Sequence, residues 1–394
     1  MRIQTFGPVL PDALAQLRRC AEHASAAVLC ADHHVGYAQP IGGAVAYPEH
    51  VSPSGVGYDI GCGNKAVLTD LLLGDVDVPT VMDRIAEEIG FGVGRPNPHP
   101  VDHPVLEAIS TCDFRPQRDL IQLARAQLGT VGAGNHFVDL FADEADRIWV
   151  GVHFGSRGFG HRTAAMFMAM AQGKSAADRP DERMDAPPAL IPSRTPLGEE
   201  YVRAMELAGA YAYAGRDLVV EKVREILGAR VLDSVHNHHN FAWRERHFGE
   251  DVWVVRKGCT PAFPGQRGFV GASMGGVSVI LEGVESPKSE QALYSTVHGA
   301  GRLMSRRQAA GRYRIAKGRR VSIEPGAVDW VSVRARLAAQ GIEVRGGGPD
   351  EAPEVYRDLD EVLRHHEGTV RILHRLRPIG VAMAGEGVFD PYKD

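Results

Sequence analysis

Hydrophobic and polar positions along the chain switch between helical and strand periods, and those switches outline the elements. From Pro11 to His23, Leu14, Leu17 and Ala21 recur on one face and predict a helix. The apolar run from Ala26 to Leu29 predicts a strand, which carries Asp32 and His34 toward its end. Lys65 to Leu73, Trp149 to Phe154, Asp251 to Arg256 and Thr369 to Ala384 read as strands. Val78 to Ile89, Gln117 to Leu128, Glu199 to Leu227 and Pro353 to His365 read as helices, with Gly215 as a candidate break in the longest. Ile41 to Ala44 reads as a tight backbone stretch, and Arg256 to Pro261 as a basic turn. The segment 173–196, rich in Pro, Asp and Arg, interrupts the periodicity and is the expected mobile loop. It is not read as a domain boundary, because candidate site residues lie on both sides of it.

Composition narrows the class. The 394 residues are 44% hydrophobic, enough for a large core, and length alone would allow two or three domains. No apolar run of about eighteen residues predicts a membrane span. Met1-Arg2-Ile3-Gln4 does not open a signal-peptide pattern. The cysteines, Cys20, Cys30, Cys62, Cys112 and Cys259, form no CxxC pair, so a reducing, cytoplasmic setting is expected. A formal net charge of -5 gives no global attraction to nucleic acid, so a polyanion would need a local patch. One candidate is the run Arg302, Arg306, Arg307, Arg312, Arg314, Lys317, Arg319 and Arg320, which contains no acid.

Candidate chemistry gathers in glycine-framed turns. Val56-Gly57-Tyr58-Asp59-Ile60-Gly61-Cys62-Gly63 places a carboxylate and a thiol three residues apart. Gly132-Ala133-Gly134-Asn135-His136 leads glycines into an imidazole, and His153 ends a strand before Gly155-Ser156-Arg157-Gly158. In Val235-His236-Asn237-His238-His239-Asn240, at most one or two of the histidines can face a common site. Asp59, Cys62, His136, His153 and His239 outnumber the ligands of a closed zinc site. They suggest either two metals sharing a ligand or one metal with spare groups; ligand softness alone points to zinc. Two metals suit phosphoryl transfer. His298 precedes Gly299-Ala300-Gly301, whose amides can cradle phosphate oxygens, which makes its imidazole a candidate nucleophile toward phosphorus. Neither a Walker nor a GxGxxG pattern is present.

These motifs, in this order and together with Arg256-Lys257-Gly258 and His298-Gly299-Ala300-Gly301-Arg302, resemble the RtcB-type RNA ligases over nearly the whole chain. The resemblance implies a single-domain α+β fold of the family's own type, with mixed sheets and a central dinuclear metal site. It implies joining of RNA 3′-phosphate or 2′,3′-cyclic phosphate ends to 5′-hydroxyl ends, in RNA repair or tRNA splicing, with GTP and two Mn²⁺ ions. Asp59, Cys62 and His136 would bind one manganese; Cys62, bridging, would bind the second with His153 and His239. His298 would carry the GMP, and Asp32 matches the acid of the family's Asp-x-His-x-Gly stretch. Asn135, His136, Asp139, His239, Asn240, Ser273, Met274, Ser278, His298, Gly299, Ala300, Gly301 and Tyr356 would line the guanylate pocket.

The chain departs from the family pattern in places. Its tail, Pro378 to Gly385, has no Lys before the Gly, which would weaken or relax GTP selection. The family's Glu after Asn-His-Phe is Asp139, and its Pro-Gly-Ser-Met reads Gly271-Ala272-Ser273-Met274. The helix near Tyr211 to Arg216 lacks the usual asparagines. A divergent paralogue acting as a cyclic phosphodiesterase would need the metal ligands without His298; an RNA-end-binding protein would need neither.

Overall fold

Two sheets meet at one point of the chain, and that point is His239. The computed structural model describes residues 2–316, 319–386 and 388, without the side chains of 313–322. The larger sheet has eight strands. Its path runs Arg267–Val270, Ser278–Gly283, Val370–Gly385, Phe137–Ala142, Arg147–Phe154, Gly63–Leu72 and Val231–His238, antiparallel throughout. Glu343–Gly347 joins Val370–Gly385 in parallel. The second sheet orders Arg2–Thr5, Ala26–His34, Ile41–Tyr47, Glu250–Lys257 and Asn240–His247, with only its first pair parallel. Val231–His238 is the last strand of one path and Asn240–His247 the last of the other, so the chain crosses between sheets at His239. Helices pack on these sheets, which makes the class α+β.

The strand Arg147–Phe154 is nearly continuous in apolar residues because both its faces are covered. Val150, Val152 and Phe154 pack with Val219, Val220 and Val223 of a helix, while Trp149 meets Phe141 and Phe269 on the opposite side. That helix, Pro196–Leu227, starts with a Thr195 side-chain cap and a proline in its first turn. It ends at Gly228 in the left-handed conformation. It is unbroken at Gly215.

Several expectations are corrected. Ile41 to Ala44 opens the strand Ile41–Tyr47, and the tight approach expected there is at Gly42, with φ +81° and its backbone close against His33. The predicted helix from Gln117 to Leu128 is two short helices, Arg115–Arg118 and Ile121–Gln127. The predicted helix from Pro353 starts only at Leu359, where Asp358 caps it by accepting from Glu361 N. Apart from these corrections, Ile191–Pro192 within 173–196 pairs with His50–Val51, and Glu182 accepts from Tyr58 Oη at 2.6 Å. Among the described residues no helix is long and apolar enough to cross a membrane.

Arg256 and Lys257 are not on a basic turn but end the strand Glu250–Lys257, both buried. Arg256 is fully enclosed and donates to both oxygens of Glu245, at 2.6 and 3.0 Å. Burial alone would raise the Glu245 carboxyl, but the Arg256 charge and the His247 and Arg256 hydrogen bonds hold it below the usual range. The native state therefore binds fewer protons than the unfolded chain, so this pair stabilises above about pH 4 and its contribution fades as pH falls through the folded value. Glu245→Gln should cost about 3–5 kcal/mol at neutral pH, because it leaves Arg256 buried without its anion. Urea unfolding across pH checks this: the gap from wild type should narrow in acid, and a gap constant with pH contradicts the assignment.

Candidate active site

A cavity of about 950 Å³ opens where the sheets meet. Its volume suits a nucleotide-sized ligand. The turn 57–62 enters it from the strand Gly63–Leu72, and His153 enters from the neighbouring strand, paired with Asn64. His239 is pinned at the crossing: its N–H donates to Cys62 O at 2.8 Å, and its carbonyl accepts from Cys259 N at 3.1 Å.

The structure brings the donor residues together. Cys62 Sγ lies 3.7 Å from His136 Nε2 and 3.8 Å from His153 Nε2, and these three form a tight set. Asp59 Oδ2 adjoins His136 Nε2 at 3.1 Å. His239 stands just outside the set, its ring stacked on His153 at 5.1 Å. Asp59 with His136 on one side, and His153 with His239 on the other, could hold two cations, with Cys62 reaching both.

The surroundings fit that role. His136 Nδ1 bonds Val131 O at 3.0 Å and His153 Nδ1 bonds Asn64 Oδ1 at 2.6 Å, so each presents Nε2 to Cys62. The buried Nδ1 of His239 has no hydrogen-bond partner. Burial first, then the His136 charge, lowers His153 well below its usual value; burial and then His298 do the same for His239, which keeps both imidazoles neutral as ligands must be. Burial, followed by the Asp59 charge, pushes the Cys62 thiol well up, so a cation must displace its proton. Burial opposes ionisation of Asp59, but the His136 hydrogen bond and charge bring it down to about 2.

His298 sits across the cavity with its ring 4.9 Å from that of His239. Its Nδ1 lies 2.7 Å from Asp32 Oδ2, which also accepts from the backbone N–H of His298 at 3.0 Å. Asp32 is fully buried behind the imidazole, at the end of the strand Ala26–His34. Burial would raise its carboxyl, but the charge and hydrogen bonds of His298 outweigh that and hold it below the usual range. The carboxylate fixes the proton on Nδ1 and leaves the lone pair on Nε2. Gly301, at φ +77°, runs so close to Asp32 that a Cβ would lie 2.2 Å from its carbonyl oxygen. That approach needs glycine.

Of the other expected pocket residues, Asn135, Asp139, Asn240, Ser273, Met274, Gly299, Ala300 and Tyr356 line the cavity, as does Gly301. Ser278 does not: it is buried, and its Oγ accepts from Ala272 N at 3.0 Å, shaping the loop that carries Ser273. Burial raises the Asp139 carboxyl well above its usual value, and its Oδ1 has no partner. Met383 reaches the cavity, whereas Ala384, the approximate place of the missing lysine, borders a smaller cleft with Gly347 and Glu386.

The basic run divides. Arg302 donates to Tyr356 Oη at 2.9 Å and Asp350 O at 2.7 Å, which places it in the cavity wall, and Arg306 also lines the cavity. Arg307 is exposed on the helix Arg306–Ala310, and Arg312 pairs with Glu324 at 3.1 Å. The side chains of Arg314, Lys317, Arg319 and Arg320 lie outside those described.

Sequence reasoning missed Asn64, which orients His153, and Phe137, stacked on His153 at 5.5 Å. Strand alternation opposite His153 could have flagged Asn64. Lys257, read as part of a basic turn, lines the cavity instead; its burial brings it down to about 8 and its Nζ donates to Tyr37 O at 2.6 Å.

Known proteins resemble the chain along nearly its whole length. The family model described as tRNA-splicing ligase RtcB matches residues 13–115 and 107–384. The RNA-splicing ligase RtcB of Escherichia coli (strain K12) is 30% identical over 383 residues, covering 88% of this chain and 87% of that protein. The RNA-splicing ligase RtcB of Mycobacterium tuberculosis is 31% identical, over 89% of this chain and 94% of that protein. The tRNA-splicing ligase RtcB of Pyrobaculum aerophilum is 29% identical, over 90% of this chain and 87% of its own length. Matched along nearly its whole length, the chain belongs to the RtcB family of RNA-splicing ligases.

Proposed function

We propose that the chain joins RNA 3′-phosphate or 2′,3′-cyclic phosphate ends to 5′-hydroxyl ends, using GTP and two Mn²⁺ ions, through a guanylate carried on His298. The observation that supports this most is the Asp32–His298 pair, at 2.7 Å, facing a cavity that also holds the Asp59, Cys62, His136, His153 and His239 donors. A metal-dependent phosphodiesterase would need the donors alone. A nucleophile held by a buried carboxylate favours nucleotide transfer.

His298 Nε2 attacks the α-phosphorus of GTP, a nitrogen–phosphorus bond forms, and pyrophosphate leaves. Asp32 keeps the Nδ1 proton in place and stabilises the cationic ring of the adduct. The guanylate then passes to an oxygen of the RNA 3′-phosphate, which frees His298. The 5′-hydroxyl attacks that phosphate and GMP departs. Bound divalent ions would neutralise charge on phosphate oxygens and supply the water that opens a cyclic end. The 299–301 backbone and Arg302 face the same cavity and would orient the phosphates.

Asp32→Asn tests the nucleophile's support. With its oxygen in the place of Oδ2 the carboxamide still accepts from the backbone and from Nδ1 but carries no charge, and with its NH2 there it faces Nδ1 with a donor and favours the wrong tautomer; either way the cationic ring of the adduct loses its anion. Guanylylation should slow by about 10²- to 10⁴-fold with metal content unchanged. Single-turnover labelling with GTP checks this, and a wild-type rate in the variant removes Asp32 from the reaction.

A further inference from the structure

Arg216 adjoins the donor region but has no part in the chemistry above. It lies in the middle of the helix Pro196–Leu227 and is completely buried. Its Nη1 donates to Gly61 O at 2.8 Å and to Phe154 O at 2.5 Å. Gly61 lies between Asp59 and Cys62, and Phe154 follows His153. One guanidinium nitrogen thus ties together the two backbone stretches that carry the donors.

The rest of the group is held as firmly. Nε donates to His236 Nε2 at 2.9 Å, and Nη2 lies 3.0 Å from His238 Nδ1, itself 2.9 Å from Gly61 O. The guanidinium packs over the Tyr213 ring at 5.1 Å. His236 passes the contact on to Asp217 at 3.4 Å, which also pairs with Lys65. No carboxylate is bonded to Arg216 itself among the described residues. An enclosed cation without a bonded anion is costly unless strong acceptors or nearby negative donors offset it. Here the acceptors are the carbonyls of the two donor-bearing stretches and the imidazole of His236.

We infer that Arg216 is a positioning residue that sets the spacing between the Asp59–Cys62 turn and the end of the His153 strand, and thereby the metal-holding geometry of the site. His236 and His238 serve as its supports and not as ligands or nucleophiles. Only a planar group with parallel N–H bonds can reach both carbonyls and both imidazoles at once. Lysine has the charge but not the fork. This inference rests on the metal reading proposed above.

The probe is Co²⁺ alone, added to metal-stripped full-length protein, read by the thiolate-to-cobalt charge-transfer band and by competition titration. Wild type should show the band, and Cys62→Ala should lack it; absence of the band in wild type defeats the metal reading itself. Given the band, Arg216→Gln and Arg216→Lys should weaken Co²⁺ by roughly 10- to 100-fold and shift or broaden the band. Both variants are checked for folding by circular dichroism before metal is added. If the glutamine variant does not fold, the lysine variant carries the test. A purely structural role would lower the melting temperature while folded variant kept wild-type cobalt affinity and band shape. That result would overturn the inference.

Discussion

Cys62→Ala is expected to strip the protein of bound divalent metal and to abolish RNA joining, while the fold survives. The thiol is the one donor within reach of both flanking imidazoles, at 3.7 and 3.8 Å. A bridging thiolate holds together cations that would otherwise repel, so its loss should exceed the roughly 10- to 100-fold affinity change typical of an outer partner. Stability should change by only about 1 kcal/mol, since the side chain sits in a turn and outside the hydrophobic clusters. Elemental analysis of the purified variant, alongside a denaturation curve and a ligation assay, reads all three. Wild-type ligation rates from metal-stripped protein would defeat the account outright.

His298→Ala should separate the steps of the reaction. The ring is not within the tight donor set, so metal content should hold. Ligation of 3′-phosphate ends with GTP should fall by at least about 10⁴-fold, the scale on which loss of a nucleophile acts. RNA supplied with an already guanylylated 3′ end should still be sealed at near wild-type rate, because the later attack is by the RNA hydroxyl. Failure to seal such ends, with metals in place, would assign His298 a role after activation.

Much of this site was legible because its donors carry local signals. Cys62, His136 and His153 each sit beside glycines or at a strand end, and the structure gathers these three into the tight set. His236 and His238 fall on one side by strand alternation, and both turn to Arg216, while His239 is singled out by the crossing between sheets. That crossing is a long-range feature, and nothing near His239 announces it. Arg216 has no local signal either: it is one cation in a long amphipathic helix, and its partners lie 62 and 155 residues away in the sequence. Arg256 and Lys257 read as a basic turn because two charges before a glycine look exposed. The pairing of Glu250–Lys257 between Ile41–Tyr47 and Asn240–His247, and the Glu245 partner, make them interior. The helix read from Pro353 shows the converse: Pro353–Val355 makes only a single 3-10 turn, and the helix proper starts at Leu359 behind its Asp358 cap.

The most direct measurement is the intact mass of the protein after incubation with GTP and Mn²⁺, followed by mapping of the modified peptide. The account predicts one added guanylate on wild type, located on His298, acid-labile as a phosphoramidate is, and absent from His298→Ala. An unmodified wild type with both metals bound, or a guanylate that persists on the His298→Ala protein, would contradict it.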